Sequence, residues 1–112
     1  MYTSILGEHA RRSDPFRLFF LPPAKKVRKF YLLRIYKRID FIERGGPWVL
    51  GLTEQISEHI WVADLRPYSA FFFIWHNKII YLHVCERIEI SDQKNFLLAE
   101  EERLKWISCF GV

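Results

Sequence analysis

The side chains in this 112-residue sequence best placed to do chemistry are cations. Residues 1 to 44 hold 11 Lys/Arg against 4 Asp/Glu, while residues 45 to 112 hold 6 against 9, so a segment of net charge +7 precedes a remainder of −3. Lys25, Lys26, Arg28, Lys29, Arg34, Lys37 and Arg38 fall on the non-apolar positions of one amphipathic stretch. That pattern suits contact with the phosphates of a polyanion, and it equally suits an ordinary solvated helix face. The other reactive residue types form no recognisable centre. His9 lies in a polar tail, His59 in a polar approach to a strand and His76 at a turn. Cys85 and Cys109 have neither CxxC spacing nor a histidine at ligand spacing, and they read as reduced packing residues. Glycine-rich phosphate loops, H-E-x-x-H and G-x-S-x-G are all lacking, so no metal and no cofactor is expected.

These cations need a scaffold, and the stretch from Ile60 to Glu86 supplies its centre. Two runs of β-branched and aromatic residues, Tyr68 to Trp75 and Ile79 to Cys85, flank His76-Asn77-Lys78, which reads as a β-hairpin. A third run, Ile60 to Leu65, precedes Pro67, and three strands with such short connections form an antiparallel meander. Upstream, Phe16 to Leu21 has the length of a strand and stops at Pro22-Pro23. From Ala24 to Arg44 there is neither Gly nor Pro, and Ile35, Ile39 and Ile42 recur at helical spacing. Gly45-Gly46-Pro47 ends the pattern. Whether it is one helix or two joined near Leu33 to Tyr36 stays open. After the meander, Ser91-Asp92 supplies an N-cap for a helix over Gln93 to Ile107, with Leu97, Leu104 and Ile107 on one face.

The expected fold is therefore α+β: an N-terminal strand and helix or helical pair, an antiparallel sheet of about four strands, and a C-terminal helix, with the helices covering one sheet face. Residues 1 to 15 read as a flexible extension and 16 to 112 as a single domain. Half the residues are apolar and 17% are aromatic, which argues against disorder, and no apolar run approaches the ~20 residues of a membrane helix. The N-terminal residues lack the apolar core of a signal peptide, and a cytoplasmic location is expected.

Taken in order, several pieces resemble the RelE/ParE superfamily of toxin–antitoxin toxins, in particular its HigB-like, phage-derived branch. They are RLFFLPPAKKVRKFYLL, RIDFIERGGPWVLGL, ADLRPYSAFFFIW, NKIIYLHVCER and AEEERLKWI, spread from about Phe16 to Trp106. The resemblance implies a RelE-like fold and a toxin of a type II toxin–antitoxin system, a ribosome-dependent mRNA endonuclease that inhibits translation. It also implies a cognate antitoxin as partner in a hetero-oligomer, with ribosome and mRNA as the targets and no membrane. The alternative is a non-catalytic or degenerate protein of the same fold, including a gyrase-directed relative, that acts by capturing a protein.

For cleavage of RNA through its own 2′-hydroxyl, a base, an acid and cations for the phosphate are required, though a pre-positioned substrate relaxes the demand on each. Arg66 matches the arginine of the family's E-L-R pattern and is either a phosphate clamp or the partner of Asp64, two residues earlier on the same strand face. Tyr68 matches a family tyrosine that either stacks on a base or packs. His83 matches the histidine of L-L-H, either a proton shuttle or a core residue. Arg87 matches the first of a basic pair, and Lys94 opens the last helix where further cations are expected. Ser69 and Ile88 stand where the family commonly has basic residues, with Glu86 and Glu89 beside Arg87. That departure lowers the positive potential a nuclease needs.

Overall fold

A long apolar run in a strand has to be covered on both faces, and this requirement sets the architecture. The computed structural model describes residues 2–6, 29–46, 48–49, 51–66 and 68–110. In chain order these form β1 (Thr3–Leu6), α1 (Lys29–Gly45), β2 (Thr53–Gln55), β3 (Trp61–Leu65), β4 (Tyr68–Trp75), β5 (Lys78–Glu86), a single 3₁₀ turn (Arg87–Glu89) and α2 (Gln93–Phe110). The strands make one five-stranded mixed sheet in the order β1-β5-β4-β3-β2. All neighbours are antiparallel except β1 and β5, which run parallel with Thr3 opposite Lys78 and Leu6 opposite Tyr81.

The meander forms as its sequence predicts, with β4 and β5 joined at His76-Asn77 and His76 at φ 56°. Two strands were not anticipated. Thr3–Leu6, inside the stretch read as a flexible extension, belongs to the sheet, and residues 7 to 15 lie outside the described residues. Thr53–Gln55 adds an edge strand, which makes five where about four were expected. Both are too short to show alternation, and each takes its backbone partners from a strand that is already paired on its other side. The expected strand over Phe16 to Leu21 and the helix start over Ala24 to Arg28 lie outside the described residues.

On one face, α1 packs Ile35, Ile39 and Ile42 against Ala63, Leu65, Ala70, Phe72, Ile79, Tyr81 and Val84. Between Lys29 and Gly45 it is a single helix. Gly46, at φ 87°, closes it by donating its backbone N–H to the Ile42 carbonyl at 2.8 Å. A Cβ at Gly46 would come within 3.1 Å of the Tyr2 ring, while the Tyr2 backbone N–H donates to the Glu43 carbonyl at 2.7 Å, so the chain's beginning is tied to the end of α1.

On the other face, Ile60, Val62, Phe71, Phe73, Ile80, Leu82 and Cys85 meet Ala99 of α2, with Phe96 and Trp106 partly buried beside them. The two helices therefore cover opposite faces, contrary to the expectation of one covered face. Consecutive pairs such as Phe71-Phe72 and Ile79-Ile80 are buried on both sides of the sheet and demand that arrangement.

α2 also turns a different side inward than expected. Phe96, Ala99, Arg103 and Trp106 form an i, i+3, i+7, i+10 stripe turned inward, while Leu97, Leu104, Ile107 and Phe110 are exposed. The aromatic stripe wins because Phe and Trp bury more area than Leu. Arg103 is buried there, and its guanidinium donates to both oxygens of the Glu100 carboxylate, from Nε at 3.3 Å and Nη2 at 2.5 Å. That pairing holds the Glu100 carboxyl below its ordinary range.

Candidate functional site

β2 pairs with β3 only as far as Ala63, so the last residues of β3 open onto a cleft of about 1230 Å³. Its walls are Gly51 to Glu54, then Val62 and Asp64 of β3 and Arg66 just after it, Tyr68 and Ser69 at the start of β4, Glu86 at the end of β5, and Arg87, Ile88 and Ile90 beyond it.

At the centre is Asp64. Its backbone N–H donates to the Leu52 carbonyl at 2.8 Å, which fixes the residue at the lip of β2. Arg66 Nε donates to Asp64 Oδ2 at 3.0 Å, and Arg87 Nε lies 3.5 Å from the same oxygen. Arg38 arrives from α1 around the open edge of β3, donating through Nη1 to the Asp64 backbone carbonyl at 2.7 Å, with Oδ1 at 3.6 Å. Asp64 Oδ1 is buried and accepts no hydrogen bond. Three guanidinium groups thus share one carboxylate. Glu54 and Glu86 line the same cleft, so its formal charge is close to balanced.

Of the residues singled out from sequence, Arg66, Tyr68 and Arg87 come together here. His83 does not line the cleft: it is 8% exposed, on the α2 face of β5, beyond a bulge that pairs Phe71 with His83 but Phe72 with Tyr81. Its Nε2 lies 2.8 Å from Asn95 Oδ1, and Asn95 Nδ2 donates to the Glu89 carbonyl at 2.8 Å. Because the Asn95 amide nitrogen is committed to Glu89, its oxygen accepts, and His83 carries a proton on Nε2. The chain His83–Asn95–Glu89 braces the 3₁₀ turn that begins at Arg87. His83 thus lies against that turn and away from the cleft. Lys94 is exposed on the first turn of α2 and does not line the cleft; its backbone N–H donates to the Asp92 cap at 3.0 Å.

Among the basic residues of the N-terminal half, Arg38 joins the site. Arg34 and Lys37 are exposed on α1, which covers the opposite face of the sheet. Lys25, Lys26 and Arg28 lie outside the described residues, and Lys29 opens α1. Sequence reasoning placed Arg38 in a solvated or polyanion-facing set and did not connect it to Asp64. The one available signal was the Asp64-x-Arg66 spacing on a strand, which puts both side chains on one face. Ser69, 3% exposed and opposite Asp64 in the register, and Ile88, 85% exposed, both line the cleft. The two departures from the basic pattern therefore fall inside the candidate site.

The site can hold an anion. Guanidinium groups bind phosphate and carboxylate through paired N–H donors, and the Arg66 and Arg87 side chains are about half exposed. No group of His, Cys, Asp and Glu among the described residues could hold a metal ion. Cys85, below Ser69 in the sheet, is no nucleophile: burial, with Glu89, Asp92 and Glu86 nearby, pushes its thiol up to about 11. In comparison with known proteins, the chain matches no family profile and no curated sequence.

Proposed function

We propose that this chain is the toxin of a type II toxin–antitoxin pair, a ribosome-dependent mRNA endonuclease that takes the phosphate of a single-stranded message into the cleft beside Asp64. The observation that carries the reading is the convergence of Arg38, Arg66 and Arg87 within 3.6 Å of one residue, with Tyr68 alongside. Arg66 and Arg87 stabilise the charge that develops on the phosphate as the 2′-oxygen, losing its proton to water, attacks phosphorus and the 5′-oxygen of the next nucleotide departs and takes up a proton, leaving a 2′,3′-cyclic phosphate and a 5′-hydroxyl; such a contact is worth about 10²-fold or more in rate. Tyr68 stacks on a flanking base, and the brace through His83 keeps Arg87 in place. Orientation of the message comes from the ribosome, so the cleft needs no ideally tuned base. The order of strand, helix, antiparallel strands and C-terminal helix supports a RelE-like fold for the chain.

An antitoxin is the proposed partner. The exposed stripe of Leu97, Leu104, Ile107 and Phe110 on α2 supports a protein-facing surface there. No described helix is long and apolar enough to cross a membrane, and the ribosomal target places the proposed activity in the cytoplasm. The test is induction of the chain in bacterial cells with mapping of transcript ends: arrested growth with new ends inside translated codons is expected, and intact transcripts at full expression contradict the reading.

A second reading is a non-catalytic protein of the same fold, including a gyrase-directed one. It is favoured by the near-balance of charge in the cleft and by the burial of His83. Growth inhibition with intact mRNA is its signature.

A further inference from the structure

Asp64 meets its arginines in an unusual way for a stabilising ion pair. One oxygen, Oδ2, takes Arg66 Nε at 3.0 Å and has Arg87 Nε at 3.5 Å, while the other, Oδ1, is buried, accepts no hydrogen bond and has Arg38 no nearer than 3.6 Å. A buried acceptor left unpaired is destabilising, so this carboxylate is poorly satisfied where it stands. The contacts use the Nε of Arg66 and of Arg87, and each guanidinium carries five N–H donors. Both arginine side chains are half exposed and both line the cleft, and a phosphodiester presents the same pair of anionic oxygens that the carboxylate does. Arg38 is held differently: its closest contact is to the Asp64 backbone carbonyl, which no substitution of the side chain removes.

We propose that Asp64 is a built-in stand-in for substrate phosphate: in the unliganded cleft its carboxylate holds Arg66 and Arg87 together, and a phosphodiester of a bound single strand takes them over. This rests on the phosphate-binding reading of the cleft and adds a regulatory consequence. The carboxylate competes with every incoming phosphate, so a free strand displaces it only at high concentration, and a strand delivered and held by another particle displaces it readily. Asp64 is accordingly a positioning residue that also sets the threshold for binding.

The experiment is binding of a short fluorescein-labelled oligodeoxynucleotide, which has no 2′-hydroxyl and so cannot be cut by the proposed chemistry, followed by fluorescence anisotropy over a series of salt concentrations. Asp64→Asn keeps the shape and the backbone contact but removes the competing charge. It should bind about tenfold tighter than the wild type, since a unit charge a few ångströms away contributes on this scale even in a watery site. The slope of log affinity against log salt should steepen by about one, the change expected for one more cation facing phosphate. Arg66→Ala in the Asp64→Asn background should return the affinity to the wild-type level or below. Unchanged or weaker binding by Asp64→Asn, with its urea midpoint showing a folded chain, overturns the proposal, because a purely structural ion pair predicts that loss. In the wild-type protein the Nε–H NMR signals of Arg66 and Arg87 should move together as oligonucleotide is added; failure of either to move also overturns it, with no substitution needed. Tighter binding by Asp64→Asn in a protein that leaves mRNA intact would overturn the nuclease reading alone. Ribosome-dependent cleavage by a wild type whose Asp64→Asn form binds no tighter would overturn this proposal alone.

Discussion

The orientation of α2 decides which surface is left for a partner, and replacing Leu104 by Ala tests it. Leu104 is 55% exposed, so less than half of its side chain has left water. Full burial of a leucine is worth about 1.5–3 kcal/mol, which puts the lost transfer energy near 1 kcal/mol at most. Alanine is the better helix former and returns part of that. The expected cost is therefore roughly 0.5 kcal/mol. Leu82, on β5 and 0% exposed, is the internal standard: Leu82→Ala empties a packed site in the core on the α2 face of the sheet and should cost about 2–5 kcal/mol. Urea unfolding followed by tryptophan fluorescence measures both, with midpoints compared at equal slope. A loss of more than about 2 kcal/mol for Leu104→Ala would refute the reasoning, since it would mean that the Leu97, Leu104 and Ile107 stripe lies against the sheet.

The remaining predictions concern titratable groups on the scaffold. Iodoacetamide should label the exposed Cys109 in the native protein and reach Cys85 only after unfolding, because burial keeps the Cys85 thiol protonated with its pKa pushed up to about 11; intact-mass spectrometry should show one adduct and then two. Burial, with the Asp40 charge nearby, raises the Glu43 carboxyl above its ordinary 4.5. The folded state therefore holds that proton more tightly than the unfolded chain, and stability drains away as pH rises from 4.5 through the raised value. Glu43→Gln should raise the urea midpoint at neutral pH and have little effect well below 4.5; equal gains at both would show that the carboxylate is not the cause.

Much of the framework was legible in the sequence because local and long-range preferences agree there. Ile35, Ile39 and Ile42 repeat at helical spacing and are all buried, and the aromatic runs on either side of His76-Asn77 pair as a hairpin. What was misread has physical causes. β1 and β2 are short edge strands whose existence depends on neighbours distant in sequence. α2 carries two apolar stripes, and counting leucines favours the one that the bulk of Phe96 and Trp106 leaves outside. The covering of both sheet faces could have been read from the unbroken apolar run of β4, which has no polar side to leave wet. At the candidate site, local spacing tied Arg66 to Asp64, but the arrival of Arg38 and Arg87 depends on the packing of α1 against β3 and on the turn after β5. His83 illustrates the same limit, since its role follows from Asn95, 12 residues later and brought to it by the start of α2.

The most direct test of the account is cleavage of a defined mRNA on purified translating ribosomes by the wild-type chain and by an Arg66→Ala/Arg87→Ala double variant, read by primer extension. Removal of both guanidinium groups should leave a folded protein whose cleavage rate falls by at least about 10²-fold. No cleavage by the wild type, or equal cleavage by the double variant, would contradict the claim that these arginines act on the phosphate of a message.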